Sequence, residues 1–124
     1  MNKKERPILS ELVNAGTSDI EKFQNEAIRP IIKMQHNLLI ILFQNYLKHR
    51  KINFNNLKKE KQKERINIIL TKDTNFKNIL LGIVIGHFSK NELMFYTENT
   101  SELKRRIIQI VNQRSQDSLL DLSL

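Results

Sequence analysis

The side chains most able to do chemistry in this sequence are its three histidines, His36, His49 and His87, and they do not fall in a catalytic pattern. A helical dinuclear carboxylate site needs Glu-x-x-His pairs, but Lys33, Tyr46 and Val84 stand three residues before these histidines. The HExxH spacing is absent as well. With no cysteine there is no thiolate zinc site, no thiol nucleophile and no disulfide framework. The expectation is therefore no metal, no cofactor and no catalytic set. His36 is the one polar centre worth following, because it sits beside Gln35 and Asn37 on an otherwise apolar stretch. Arg29, Lys33 and Tyr46 fall at neighbouring helical positions, so Arg29, Lys33, Gln35, His36 and Tyr46 could line a small pocket for an anion or an acid. General acid–base work there would need a convergent carboxylate or second histidine that the sequence does not place. The plainer alternative is a buried, hydrogen-bonded polar cluster.

Charge is the louder signal. Residues 48–72 hold nine basic side chains against only Glu60 and Glu64, so this stretch carries nearly all of the net charge of +8. Lys48, Arg50, Lys51, Lys58, Lys59, Lys61, Lys63 and Arg65 form a candidate basic surface for an acidic partner, or for the phosphate backbone of RNA or DNA, with Phe54 as a base-stacking face. The competing explanation is a solvated helix face. Lys, Asn and Ile all have AT-rich codons, and together they make up 45 of the 124 residues. A helix-turn-helix with Gly86 as its turn is disfavoured, since residues 90–99 would be the reading helix and contain Glu92 and Glu98 with a single lysine. Residues 58–65 have no large apolar side chains with which to enter a membrane surface. The longest apolar run, residues 79–85, is far too short to span a bilayer.

These residues must be carried by helices. Three glycines and two prolines are too few for the turns of an all-β fold. Pro7 and Gly16 bracket a short first helix, and Ser18 with Glu21 forms a capping box for a second, which carries Ile20, Phe23, Ala27 and Ile28. Pro30 must kink or restart that helix, after which residues 30–48 are apolar nearly all round. Asn53, Asn55 and Asn56 end a loop before a charged helix at 57–70. Asp73 or Thr74 caps the next helix, 73–87, where Gly82 and Gly86 offer a groove for close helix packing. Ser89 with Glu92 is a second capping box, and Thr100 or Ser101 caps a last helix with Leu103, Ile107, Ile110 and Val111 on its buried stripe. The expected architecture is an all-α compact bundle of five to six helices with a long helix kinked at Pro30. It divides into an arm at 1–17, a bundle at 18–114 and a tail at 115–124, with 30–48 and 73–87 as the core pair.

The stretches at 28–35 (IRPIIKMQ), 82–88 (GIVIGHF) and 105–114 (RRIIQIVNQR), with Phe95 and Tyr96, resemble a small family of uncharacterised all-helical bacterial proteins. Some members carry the label glyoxalase. The resemblance covers residues 18–114 and implies a shared fold. Lactoylglutathione-lyase-type glyoxalases are instead built from paired βαβββ modules around a His and carboxylate metal site, so the residues do not support the label.

Two nearly all-apolar helices in so short a chain are hard to cover, which points to a homodimer with one of them at the interface. The expected function is a non-enzymatic, cytoplasmic interaction or assembly module whose basic segment meets an acidic partner. Nonspecific RNA or DNA binding by residues 48–72 is the alternative, and a small-molecule or enzymatic pocket around His36 the second.

Overall fold

The computed structural model describes residues 17–123. In chain order the elements are α1 (Thr17–Phe23), a π-helical turn (Gln24–Ile28), α2 (Arg29–Met34), α3 (His36–His49), a 3-10 turn (Phe54–Asn56), α4 (Lys59–Lys72), α5 (Thr74–Ile85), α6 (Lys90–Glu98), α7 (Thr100–Gln116) and α8 (Leu119–Leu122). Among the described residues there is no strand and the fold is all-α; the helix expected over 30–48 is divided into α2 and α3, and the short α8 is added in the tail. The helix expected at 7–16 lies outside the described residues, and the side chain of Ser18 does too.

Pro30 has no N–H to give to the preceding turn, and the chain absorbs this by widening just upstream. The Arg29 N–H bonds the Gln24 carbonyl, five residues back, and the irregularity expected at Pro30 takes the form of this π turn. A second interruption was not legible in the sequence. Gln35 leaves the helical region at φ −98° and ψ 17°, yet its N–H reaches the Ile31 carbonyl at 3.0 Å and its carbonyl accepts from Leu39 at 3.0 Å. The ladder therefore bends there without parting.

Two caps sit where expected. The Asp73 carboxylate accepts from the Phe76 N–H, and Ser89 and Glu92 form a reciprocal capping box at α6. Two do not. Lys58 is the N-cap of α4 and Asn99 that of α7, neither with a side-chain cap, so the asparagine loop and Thr100 or Ser101 do not play that part. Thr100 already lies inside α7, where its hydroxyl donates to the Tyr96 carbonyl.

The core is one cluster. α3 contributes Leu39, Ile40, Phe43 and Leu47; α5 contributes Phe76, Leu80, Leu81 and Val84; α7 contributes Leu103, Ile107 and Val111. Phe23 stacks on Phe95 at 4.8 Å and meets Phe88 edge-on at 5.3 Å, which ties α1 to α6. Phe76 meets Phe43 at 5.0 Å and Tyr46 at 4.7 Å, while Gln35 meets His87 at 3.2 Å, so α3 and α5 run antiparallel and meet through side chains at both ends. The central helix is α7, which touches the π turn, α4, α5, α6 and α8. α3 and α5 each keep an exposed flank instead of forming a fully enclosed pair. Phe54 is wholly buried, and its carbonyl accepts from the Gln62 amide. A base-stacking role for Phe54 is thereby corrected: the ring anchors the loop before α4. The tail packs as well, with Leu122 buried in the core cluster.

Candidate functional site

No side-chain hydrogen bond joins any two of the five residues grouped around His36 in the sequence; those that bond do so outside the set. Arg29 bonds Asn25 on the surface and Lys33 is exposed. Gln35 turns toward His87, and Tyr46 lies two to three turns along α3 at Asp73. His36 itself is bound on both ring nitrogens. Arg114 Nε lies 2.9 Å from Nδ1 and can only donate, so Nδ1 carries the lone pair, and Nε2 donates to the Asp121 carboxylate at 3.0 Å. Gln44 adds amide donors to the carbonyls of Asp121 and Ser123. The cluster is therefore a clasp that holds α8 against α3 and α7. His87 is fixed in the other tautomer, since Nδ1 donates to the Ile83 carbonyl at 2.7 Å and Nε2 accepts from Gln35. Arg114, Asp121 and Gln44 were missed in the sequence because their partners lie about 80 residues away and no local spacing announces them. Among the described residues no three His, Cys, Asp or Glu side chains gather as metal ligands, and no helix is long and apolar enough to cross a membrane.

A second polar centre stands where α3 ends and α5 begins. The Tyr46 hydroxyl donates to Asp73 Oδ2 at 2.8 Å, Arg50 donates to the same oxygen at 3.1 Å, and Oδ1 accepts from the Phe76 N–H. The Arg50 guanidinium also lies 5.0 Å over the Tyr46 ring. The Phe76 N–H and then the Tyr46 hydroxyl hold the Asp73 carboxyl below its usual range. Burial, followed by the bond to Asp73, raises the Tyr46 phenol.

All eight residues of the candidate basic surface are exposed, yet helical phase divides them. Lys61, Arg65 and Lys72 share one face of α4, at spacings of four and seven. Arg65 and Lys72 border a cleft of about 380 Å³ with Arg50, Ile52, Ile68 and Tyr46. Lys59 and Lys63 point the other way and line a separate cleft with Asp117 and Asp121. Lys48 and Lys51 flank the end of α3, where Lys51 takes a positive φ of 55°. Lys61 pairs with Glu64 at 3.3 Å. Lys72, left out of the sequence-derived set, belongs to the site; its spacing of seven from Arg65 was the available signal.

The third feature is apolar. Leu38 is 40% exposed, Ile41 59% and Ile79 51%. Because Gln35 and Tyr46 of α3 face His87 and Phe76 of α5, helical spacing puts Leu38 and Leu42 on the α5 side of α3, and Ile79 and Ile83 on the α3 side of α5. These four line the outer edge of the seam between the helices. Gly82 lies exposed on the same side, and a Cβ there would meet nothing within 4 Å. Gly86 would bring a Cβ to 3.0 Å of the Gly82 carbonyl, within its own turn. The expected close helix packing at Gly82 and Gly86 is thus not made within the described chain: Gly82 opens outward.

Comparison of the chain with protein-family models, with curated proteins and with solved structures returns no match.

Proposed function

We propose that this chain is a small, non-enzymatic helical assembly module that works as a homodimer, joined through the outer flank of α3 and α5. The observation that carries this reading is an uncharged, partly apolar face on a strongly charged chain. Two copies at +8 repel, so self-association needs a face free of like charge. Every exposed position of α3 from Asn37 to Asn45 is uncharged, and so is every exposed position of α5 from Thr74 to Gly82. Leu38, Ile41 and Ile79 supply apolar area there, the asparagines a polar rim, and Gly82 the space for a second helix. A two-fold axis would place the same patch on both sides of the contact. The cysteine-free composition fits a reducing, cytoplasmic setting.

Sedimentation of Leu38→Glu and Ile79→Glu tests the face. Each buries a carboxylate at the contact and should yield monomer, whereas Leu120→Glu, at a side chain 90% exposed on α8, should leave the dimer intact. Equal behaviour of all three would refute the assignment. The basic segment supports a second contact, with an acidic partner, because Lys48, Arg50, Lys51, Lys58, Lys59, Lys61, Lys63 and Arg65 are all solvent-exposed. Its division into two faces favours a compact acidic surface over the continuous track that a nucleic-acid strand requires.

A further inference from the structure

We propose that the cleft between the end of α3, the outer face of α4 and the first turn of α5 binds the phosphate group of a small organic phosphate. Three cations from two parts of the chain border it: Arg50 just beyond α3, and Arg65 and Lys72 two turns apart on α4. One carboxylate, Asp73, lies in the cleft, and it is already engaged by the Phe76 N–H, the Tyr46 hydroxyl and Arg50. Arg65 and Lys72 have no carboxylate partner among the described residues. Arg65 and Lys72 therefore face a cleft whose single carboxylate is bonded elsewhere, so an arriving anion meets two cations with no carboxylate partner among the described residues. Arg50 adds a planar fork of five N–H donors, of which Asp73 takes one, and it lies 5.0 Å over the Tyr46 ring.

The rest of the lining decides the kind of anion. Ile52 and Ile68 give the cleft apolar walls beside the cations, and its volume of about 380 Å³ exceeds that of a bare phosphate. Clefts that hold small ligands start at roughly 300 Å³, with apolar walls for the body and a few charged groups for orientation. A polymer backbone would need cations at regular intervals along an extended groove. Here they converge on one place, while Lys59 and Lys63 lie at a different cleft beside Asp117 and Asp121.

The test uses the full chain with adenosine monophosphate, inorganic phosphate, adenosine and a mixed-sequence 20-nucleotide RNA as probes, read by calorimetry and by amide chemical shifts. Adenosine monophosphate should bind saturably, shift the amides of Ile52, Arg65 and Lys72, and be displaced by inorganic phosphate at higher concentration; adenosine should not bind. Arg65→Ala and Lys72→Ala change exposed side chains, should retain the helical circular dichroism, and should each weaken binding at least about tenfold, the worth of one charge-assisted hydrogen bond. Adenosine binding as tightly as its monophosphate would overturn the proposal, as would affinities unchanged in both variants. Binding by the RNA alone would transfer the site to a nucleic-acid strand, and no saturable binding by any probe would leave the cleft without this role.

Discussion

His36 is held between two side chains that follow it by 78 and 85 residues: Arg114 donates to Nδ1 at 2.9 Å, and Nε2 donates to Asp121 at 3.0 Å. This pair of bonds closes the C-terminal end of the chain onto α3, and Gln44 reinforces it through the carbonyls of Asp121 and Ser123. His36→Ala removes both bonds and leaves Arg114 and Asp121 without this partner. The expected loss of stability is about 1–2 kcal/mol. Hydrogen exchange should accelerate in α8 and leave α5 unchanged, because α8 is only four residues long and depends on what it docks against. Unchanged protection of α8 would mean that Leu122 alone secures it.

Two tyrosines of this fold should respond oppositely to loss of the hydroxyl. Tyr96 buries its OH with no hydrogen-bond partner among the described residues, and that burial raises its phenol pKa. Tyr96→Phe removes an unsatisfied polar atom and is expected to leave stability unchanged or raise it. Tyr46→Phe removes a 2.8 Å bond to Asp73 and should cost about 0.5–1.5 kcal/mol. Urea midpoints of the two variants provide the check.

Asp73 should make stability depend on acid. Its carboxyl titrates lower in the folded chain than in the unfolded one, because the Phe76 N–H and the Tyr46 hydroxyl favour the ionised form. That contribution is complete above the unfolded carboxylate range near about 4 and is lost as pH falls through the lower, folded value. Asp73→Asn should destabilise the protein at pH 7, and the gap to the native chain should narrow as pH drops below about 4. A gap that stays constant with pH would show that the charge of Asp73 adds nothing beyond its capping geometry.

Local signals made much of the fold legible. Asp73 before an apolar run and Ser89 three residues before Glu92 mark the starts of α5 and α6, and both side chains cap as expected. Leu103, Ile107 and Val111 recur at helical spacing and are buried. What escaped was set by distant contacts. Phe54 sits in an asparagine-rich loop and reads as exposed, but the fold buries it and Gln62 satisfies its carbonyl. The turn at Gln35 follows no proline or glycine. His36 and Tyr46 sit about three turns apart on one helix and serve unrelated clusters. The division of the basic segment was available from phase alone, since Lys61, Arg65 and Lys72 recur on one face and Lys59 and Lys63 on another.

The mass of the native chain in solution, measured by light scattering across concentration and salt, tests the proposed assembly most directly. The expected result is a species at twice the 14.7 kDa of one chain, tightening as added salt screens the repulsion between two +8 subunits. A mass of 14.7 kDa throughout would contradict the dimer, and self-association that weakens with salt would move the contact from the uncharged α3 and α5 flank to the charged surface.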